Sequence, residues 1–353
     1  MLSEVAKMEE KVGDWPRVSV FVAARNEERH LATCIEALMV QEYPGESEIW
    51  IADDHSEDHT WLIAKELKSR FQNIFIIQTD EPVNGVQGKA LALGLMAGKA
   101  KGDIFLICDA DMAMPPGWMA NMVSYLKSGK ADLINGTTST RGNSVFEAWQ
   151  AIDWLIPQAT FAWMSRLGIS YTAMGNNMAI SRKAYESTGG YLQLPFSLTE
   201  DFELFRHARN NGFHLHHLYD EKVLGHSTPQ HGFRDWVEQH IRWMIGFFQL
   251  PFRQQWVFYA QMLFYPLLIP GWAFFPDTAG AFLGWIWVAR YLYVASSLIY
   301  IGKWKLLFVQ PWYELTFWPA YLIVWGSFLR KKEVKWKGRT WNLHGDPSNL
   351  KKN

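Results

Sequence analysis

The chain lacks the marks of a secreted or a nucleic-acid-binding protein. It has only two cysteines among 353 residues, Cys34 and Cys108, and both lie in apolar runs. Two such residues cannot build a disulfide framework, so we expect reduced core residues in a cytosolic environment. The formal net charge is −1, without the basic excess that nucleic-acid binding needs, so nucleic acid is not an expected partner.

Several targeting and catalytic motifs are also missing. The first 14 residues, MLSEVAKMEEKVGD, are charged and lack the apolar segment of a signal peptide. The sequence contains no G-x-x-x-x-G-K-[ST] loop, no CxxC or HExxH motif and no G-x-S-x-G nucleophile elbow. We predict that His214, His216 and His217 form a strand with exposed imidazoles; a metal cluster is the alternative.

Long apolar runs are abundant in the second half, where most of the 19 tryptophans lie. Residues 256–275 contain no charged residue, and residues 279–302 contain one, Arg290. Residues 306–329 contain one charged residue, Glu314, and two prolines. About 20 apolar helical residues cross a bilayer, although core helices would have a similar composition. We predict two membrane spans and an interfacial or re-entrant third segment; three spans is the alternative.

Basic residues around these runs indicate their orientation. Lys303 and Lys305 follow the second run, and residues 330–339 hold six basic residues against one acid. Positive flanks favour the cytoplasmic side of a membrane. We therefore expect an integral membrane protein whose first half lies in the cytoplasm.

The first half alternates strand and helix signals. The predicted strands cover residues 17–24, 48–54, 73–79 and 102–111, with helical spacing between them. Continuous apolar strands separated by helices are typical of a parallel sheet that is covered on both faces. The fold class is therefore a doubly wound, mostly parallel α/β domain, followed by C-terminal apolar helices. Ligands of such sheets bind at the carboxyl ends of the strands.

Paired carboxylates lie at two of these strand ends. Asp109 and Asp111 repel each other unless a cation lies between them, and Mg²⁺ or Mn²⁺ with a substrate phosphate suits such a pair. A solvated turn with capping aspartates is the alternative, because MPPGW follows. Asp53 and Asp54 end another strand and can accept hydrogen bonds from a base or a ribose, whereas the residues that follow can cap the next helix.

A third acidic segment, TED, begins a helix at Glu200 and Asp201. Acids in the first turn of a helix are favoured by its dipole, so a structural role accounts for them. A carboxylate at a loop–helix junction can also act as a general base for a hydroxyl group, and Asp201 is the candidate.

Two basic side chains are candidates for binding a diphosphate. On the predicted helix 235–248, Gln239, Arg242 and Trp243 share one face, which suits a diphosphate and a sugar ring or lipid head. An interfacial helix with a snorkelling arginine is the alternative. Lys89 follows a glycine-flanked loop at a helix start, where it can meet a phosphate or be solvated.

In their order along the chain, these stretches resemble the family 2 glycosyltransferases of the GT-A fold. The resemblance covers roughly residues 17–250 and part of the tail. The chain resembles in particular the ceramide glucosyltransferase-like and polysaccharide synthase branches of this family, whose members are anchored in membranes. The matching stretches are VAARNEE (22–28), ADDHSEDHT (52–60), DAD (109–111), GNNMAISRKAYESTGGY (175–191), TED (199–201), QHIRW (239–243, the QxxRW signature) and VKWKGRTW (334–341).

The resemblance implies roles on the donor side. It implies that Asp53 and Asp54 contact uridine with Ala24 and Glu27 nearby. It also implies that Asp111 binds the metal.

In the same way, Asp109 would touch the ribose or the metal, and Lys89 would assist the donor. The implied cofactor is Mg²⁺ or Mn²⁺.

Further roles follow for the acceptor side. Asp201 would be the catalytic base, with Glu200 beside it, and Gln239, Arg242 and Trp243 would hold the diphosphate and the acceptor. The sequence departs from the family in the loop before QxxRW, where members often carry an acid and this chain has GHSTPQHGF (225–233). His226 in that loop has no implied role.

These inferences give an expected organisation: a cytosolic catalytic domain (1–235), an interfacial helix (236–252), a membrane region (253–330) and a basic cytosolic tail (331–353). The expected activity is that of an inverting, metal-dependent hexosyltransferase, which moves a sugar from a nucleotide donor, with UDP expected, to a hydroxyl of a membrane-associated lipid acceptor. The alternatives are a glycan chain-extending synthase subunit, a non-catalytic nucleotide-sugar-binding protein and a soluble nucleotidyltransferase.

Overall fold

The chain is described by a computed structural model over residues 15–79, 81–142, 144–170, 172–195, 197, 199–248, 255, 274, 276–331, 333–336 and 339–342. Within these residues the chain forms two compact units. The first holds the described residues through Gly136, with Met174–Leu194 and Leu204–His216, and the second holds Thr137–Ala173, Pro195–Glu203 and the described residues from His217 onward. The boundaries that we predict at residues 235, 252 and 330 stay predictions.

The strands alternate with helices through the first half of the chain. The strands are β1 (Val18–Ala24), β2 (Ser47–Asp53), β3 (Ile74–Gln78), β4 (Ile104–Asp109), β5 (Leu133–Asn135), β6 (Thr138–Thr140), β7 (Asn177–Ser181), β8 (Leu215–His217), β9 (Gly225–Ser227), β10 (Glu333–Trp336) and β11 (Arg339–Asn342). The helices are α1 (Leu31–Met39), α2 (Thr60–Arg70), α3 (Gly88–Lys99), α4 (Trp118–Lys127), α5 (Val145–Arg166), α6 (Arg182–Ser187), α7 (Glu200–Asn210), α8 (Phe233–Phe248), α9 (Pro276–Tyr300) and α10 (Gln310–Arg330).

A seven-stranded sheet in the order β3-β2-β1-β4-β7-β5-β8 forms the framework of the first unit. Strand β1 pairs in parallel with β2 and β4, and β2 pairs in parallel with β3. Strand β7 runs antiparallel to both β4 and β5. The prediction of a mostly parallel α/β sheet is therefore confirmed, and its four predicted strands are β1 to β4.

The centre of the sheet is buried on both faces. Val18, Val20 and Val22 of β1 are fully buried, and so is Leu106 of β4. This explains the continuous apolar runs, because a strand that is covered on both faces has no polar side to alternate with. The polar residues of β2 and β4 are therefore concentrated at the strand ends.

The second unit is mainly helical. Helix α5 begins with a capping box, in which the Glu147 N–H donates to Ser144 Oγ (3.2 Å) and the Ser144 N–H donates to Glu147 Oε2 (2.9 Å). Its apolar face packs with residues of α8, α9 and α10 in one core, which includes Ile152, Trp236 and Leu298. Side-chain packing in this core thus joins helices that are distant in the sequence.

One helix of the described part, α9, is long and apolar enough to cross a membrane. The first apolar run, 256–275, lies outside the described residues except for residue 274. The third run forms a 3-10 helix (Trp304–Phe308) and α10. The number of membrane spans stays a prediction.

Two smaller predictions about the interior have different outcomes. Cys34 and Cys108 are buried free thiols, as expected. The histidine strand forms as β8, but its imidazoles are not all exposed: His217 is buried and its Nε2 lies 2.8 Å from the Thr172 carbonyl oxygen. The prediction of exposed imidazoles is wrong for His217, because a backbone carbonyl satisfies that ring inside the protein.

Candidate active site

The carboxyl ends of β1 and β2 are tied together by one backbone hydrogen bond and one bond from a side chain. The Asp54 N–H donates to the Ala24 carbonyl (2.8 Å), and Arg25 Nη1 donates to the Asp54 carbonyl (2.7 Å). Ala24, Asp53 and Asp54 are all buried. The structure therefore brings together the strand-end residues that we predict to contact a nucleotide.

Asp53 and Asp54 differ in how their carboxylates are satisfied. Asp54 Oδ1 accepts a hydrogen bond from Thr79 Oγ1 at 3.1 Å. Asp53 Oδ2 accepts from Gln78 Nε2 at 3.3 Å, whereas Asp53 Oδ1 is buried without a partner. Because an unpaired buried carboxylate oxygen is costly, the free acceptor of Asp53 is able to take a hydrogen bond from a ligand donor.

The loops that follow these strands are held by their own side chains. The Glu27 N–H donates to Thr60 Oγ1 (2.7 Å), and the Glu28 N–H donates to Asp58 Oδ2 (3.2 Å). Asp58 Oδ1 also accepts from the Thr60 N–H at 3.0 Å, at the start of α2. Burial opposes ionisation of Asp58, but the hydrogen bonds from Thr60 outweigh it and lower its pKa. Asp58 therefore has the structural role that we kept as an alternative. Glu27 is buried.

Lys89 contacts Asp109, the first residue of the DAD motif (109–111). It is the second residue of α3, and its Nζ donates to Asp109 Oδ1 at 2.5 Å and to the Gly175 carbonyl at 3.3 Å. The Lys89 side chain is 15% exposed and that of Asp109 is 36% exposed. Lys89 thus neutralises part of the charge at the end of β4 and joins it to the segment that begins at Gly175.

Asp111 lies in a turn rather than on the strand. Strand β4 ends at Asp109, and the Met112 N–H donates to the Asp109 carbonyl at 3.1 Å. The alternation of side chains along a strand therefore does not determine the direction of Asp111. Hydrogen bonding to Cys108 and burial, followed by the charges of Cys108, Asp111 and Asp109, raise the pKa of Cys34.

The carboxylates of Asp109 and Asp111 suit a divalent cation. In the part of the chain that the structure describes, no group of three or more His, Cys, Asp or Glu side chains is arranged to hold a metal. Mg²⁺ commonly takes one or two protein carboxylates and completes its shell with substrate phosphates and water. Two carboxylates at the exposed end of β4 therefore fit an ion that arrives with a nucleotide diphosphate.

The sequence reasoning missed two buried amide oxygens in the first unit. Asn135 Nδ2 donates to the Met174 carbonyl at 2.7 Å, while Asn135 Oδ1 has no partner. Asn176 Oδ1 is also buried without a partner, one residue from the carbonyl that binds Lys89. The GNN triplet at 175–177, in an otherwise apolar segment, was the available signal.

Asp201 and Glu200 begin α7 in the second unit. The Phe202 N–H donates to Asp201 Oδ1 at 2.8 Å, and the Glu203 N–H donates to the Thr199 carbonyl at 3.2 Å. Both residues are half-buried. The favourable dipole of the helix start stabilises their negative charges, which agrees with the structural alternative and leaves the catalytic role a prediction.

Gln239, Arg242 and Trp243 lie on α8, as predicted for QxxRW. Gln239 Oε1 is buried without a partner. Trp243 is 39% exposed, and its ring meets that of Trp154 edge-on at 4.9 Å. The helix therefore presents a fixed indole and an amide oxygen that can accept a hydrogen bond.

His226, which the sequence leaves without a role, is a neutral base. Its pKa is lowered to about 4 by burial and by the positive charges of Lys303 and Arg141. Lys303 Nζ lies 3.4 Å from His226 Nε2. The loop before QxxRW therefore has a basic environment where relatives often have an acid.

Comparisons with known proteins indicate the family of the chain. A profile described as "Glycosyltransferase like family 2" matches residues 16–246. The "Probable glycosyltransferase YdaM" of Bacillus subtilis is 27% identical over 251 residues, 69% of this chain and 58% of that protein. The "Beta-monoglucosyldiacylglycerol synthase" of Synechocystis is 26% identical over 198 residues, 54% of this chain and 40% of that protein.

The fold also has a solved counterpart. The "Mannosyltransferase PcManGT from Pyrobaculum calidifontis in complex with GDP-Man and Mn2+" superposes with a TM-score of 0.55 at 19% identity, over 86% of this chain and 88% of that one. This likeness identifies the fold as GT-A. The chain spans about 58% and 40% of the two curated relatives above.

Proposed function

Because the chain belongs to the glycosyltransferase-like family 2, we propose that it is an inverting enzyme that transfers a sugar from a UDP-linked donor to a membrane lipid. The observation that carries this proposal is the group of acidic and basic residues at the carboxyl ends of β2 and β4. Asp53 Oδ1 is free to accept a hydrogen bond there, and Lys89 binds Asp109. Parallel sheets bind nucleotides at this edge.

On the donor side, Asp53 Oδ1 accepts a hydrogen bond from the imide N–H of the uracil ring. A carboxylate oxygen is a suitable acceptor for this ring N–H. Asp54 supports the loop through Thr79, and Ala24 is small enough to let the base approach the end of β1. Lys89 provides a positive charge beside Asp109, where the diphosphate is expected.

Asp109 and Asp111 are the residues that would hold Mg²⁺ or Mn²⁺. Such an ion, when bound, supplies positive charge to the diphosphate that leaves. The carboxylates themselves set the position of the ion, and Lys89 limits the repulsion between them. Mn²⁺ in the mannosyltransferase named above supports this part of the proposal.

In the transfer step, the acceptor oxygen forms a bond to the anomeric carbon while the bond to the diphosphate oxygen breaks. Asp201 removes the proton from the acceptor hydroxyl, so the anomeric configuration inverts in one displacement. Arg242 stabilises the negative charge of the leaving group, and Trp243 offers an aromatic face to the sugar or acceptor. Gln239 Oε1 accepts a hydrogen bond from a hydroxyl of the same ligands.

A membrane lipid is the proposed acceptor because the second unit exposes large apolar side chains. Trp285 of α9 is 74% exposed and Leu315 of α10 is 68% exposed. Exposed apolar surface of this kind marks a membrane or partner site. The relative named as a monoglucosyldiacylglycerol synthase supports a glycerolipid, and the basic residues beside α9 support a cytoplasmic catalytic half.

The test is incubation of the purified chain with a panel of nucleotide sugars, Mg²⁺ or Mn²⁺, and total membrane lipid, followed by mass analysis of the products. We expect one hexose to be added to a lipid from a UDP-sugar. A ladder of products that differ by one hexose would support the chain-extending alternative instead. Donor binding without transfer or hydrolysis would support a non-catalytic binding protein.

A further inference from the structure

A buried aspartate in α5 has no role in the site described above. Asp153 interrupts an otherwise apolar segment, AIDWLIP (151–157), and its side chain is only 1% exposed. A buried carboxylate is costly unless donors surround it. A lone acid in an apolar helix is also the signal by which sequence reading could have identified this position.

Three side chains from two other helices supply those donors. Trp236 Nε1 donates to Asp153 Oδ2 at 3.0 Å, and His240 Nε2 lies 3.0 Å from the same oxygen. The Tyr321 hydroxyl donates to Asp153 Oδ1 at 3.1 Å. Both carboxylate oxygens are therefore engaged, and α8 and α10 are joined to α5 at one point.

His240 is the residue between Gln239 and the other two residues of the QxxRW signature. Its Nδ1 lies 2.9 Å from the Trp236 carbonyl oxygen, so both ring nitrogens face acceptors and the ring orientation is fixed. The His240 ring centroid lies 4.6 Å from that of Trp243 at a steep angle. A fixed imidazole therefore packs against the indole of Trp243.

Stability alone gives a weak reason for this arrangement. A buried ionic group is often no more stabilising than apolar residues of similar volume, whereas it fixes one geometry. The same helix α8 has a second attachment, the ion pair of Glu238 with Lys331, whose side chains are 31% and 32% exposed. That pair ties α8 to the residue after α10.

We propose that Asp153 is a positioning residue for the transfer reaction, which acts through His240 to fix the indole of Trp243. The kinetic test of this inference rests on the proposed function, whereas the structural test does not. Asp153 does not touch the donor or acceptor. It restricts the positions of the QxxRW side chains, so its loss leaves the groups present but misplaced.

The variants are Asp153→Asn, which removes the negative charge and replaces one accepting oxygen with an NH₂ donor, and Tyr321→Phe, which removes a single hydroxyl. Glu238→Gln is the matched control, because it removes a carboxylate from α8, the helix that carries His240 and Trp243. We expect Asp153→Asn to lower kcat/KM about tenfold or more, with UDP affinity and folding unchanged. Tyr321→Phe should have a smaller effect in the same direction.

A double-mutant cycle with Trp243→Phe separates positioning from general destabilisation. If Asp153 acts through Trp243, Asp153→Asn should lower kcat/KM by less than about threefold in the Trp243→Phe background. Equal losses in both backgrounds would overturn the inference. So would a loss with Glu238→Gln as large as with Asp153→Asn. If Asp153→Asn does not fold, the cycle with Tyr321→Phe decides the matter in the same way.

A second measurement does not depend on activity. Fluorotryptophan labelling gives Trp243 a ¹⁹F resonance that Trp243→Phe assigns. We expect this resonance to move or broaden in Asp153→Asn and to stay in place in Glu238→Gln. An unchanged resonance in Asp153→Asn would overturn the inference even if no substrate is found. If the unaltered chain transferred no sugar from any donor, the proposed function alone would be overturned.

Discussion

The two compact units assemble their polar residues in different ways. In the first unit, Asp53, Asp54 and Asp109 lie at strand ends, and the strands before them determine where they lie. In the second unit, Asp153 meets Tyr321 across 168 positions of the chain. A parallel sheet places residues by a rule that is visible in the sequence, whereas a helical core places them by packing that no local pattern records.

The apolar residues of the two units differ as well. The apolar residues of β1 and β4 are buried except for the half-buried Ala23, whereas α9 has both buried and strongly exposed apolar residues. A sheet that is covered by helices buries its own apolar side chains. Exposed apolar residues such as those of α9 mark a membrane or partner site, and the second unit is therefore the one in which we expect lipid to matter. Four predictions test this comparison.

The largest expected effect is on the chemistry assigned to the second unit. Asp201→Asn should lower kcat by about 10²–10⁴-fold, because a general base contributes a factor of that size. UDP binding, which we assign to the first unit, should not change. Steady-state kinetics and titration calorimetry measure the two effects.

The matched control is Asp235→Asn, an acid in the first turn of α8 in the same unit. It should retain normal turnover. Normal turnover in Asp201→Asn would exclude this residue as the base.

The next effect contrasts the two faces of α9. Leu298 is fully buried and Trp285 is 74% exposed. Leu298→Ala should destabilise the protein by about 2–5 kcal/mol through lost contacts and a cavity. Trp285→Ala should leave the unfolding free energy in detergent nearly unchanged and weaken sedimentation with lipid vesicles.

Unfolding in denaturant and vesicle sedimentation separate these outcomes. If Trp285→Ala destabilised the protein as much as Leu298→Ala, the exposed face would belong to a protein core, and the contrast between the units would fail.

A smaller effect concerns the free acceptor in the first unit. Asp53→Ala should weaken UDP binding by about 1.5–3 kcal/mol, the range for a hydrogen bond to a charged group. Glu57→Gln is the control, since its side chain is 81% exposed and pairs with Arg25 at 3.6 Å. Titration calorimetry with UDP measures both, and equal affinities of the two variants would count against a base contact by Asp53.

The smallest effect is a pH dependence of the first unit. Glu48 Oε1 accepts from Ser19 Oγ and from the Lys101 N–H, both at 2.6 Å. Burial opposes ionisation of Glu48, but the hydrogen bonds from Lys101 and Ser19 outweigh it and lower its pKa below the usual 4.5. The unfolded chain therefore takes up the proton first, so this stabilisation is present above pH 4.5 and is lost as the pH falls through the folded pKa.

Glu48→Gln should lower the unfolding free energy at neutral pH by roughly 1–3 kcal/mol and flatten its decline in acid. Glu46→Gln is the control, because its side chain is 79% exposed and pairs with Arg17, which also pairs with Glu48. Urea unfolding at several pH values measures both variants. An acid decline as steep in Glu48→Gln as in the unaltered chain would contradict the assignment.

Much of the first unit could be predicted from its sequence. Strands β1 to β4 are continuous apolar runs, and their parallel pairing places Ala24, Asp53, Asp54 and Asp109 at one edge. The position of Asp111 could not be predicted, because strand alternation ends at Asp109 and a turn follows. The partner of Lys89 was also unforeseen: we considered a phosphate or solvent, and the structure pairs it with Asp109.

Helical spacing correctly grouped Gln239, Arg242 and Trp243 on α8, since residues three and four apart share a face. The same rule could not reveal that His240, between them, meets a carboxylate of α5. It also could not foresee that His217 of β8 is buried against a backbone carbonyl.

The sequence by itself determined the parallel sheet, the acidic residues at its strand ends and the apolar character of the C-terminal helices, because period and composition act over neighbouring residues. Only the tertiary structure decided which oxygen of Asp53 stays free, that Lys89 neutralises Asp109, and that Asp153 holds His240. Such contacts join residues far apart in the chain, and their energies depend on burial and on the match of donors with acceptors, which exist only once the helices and strands have packed.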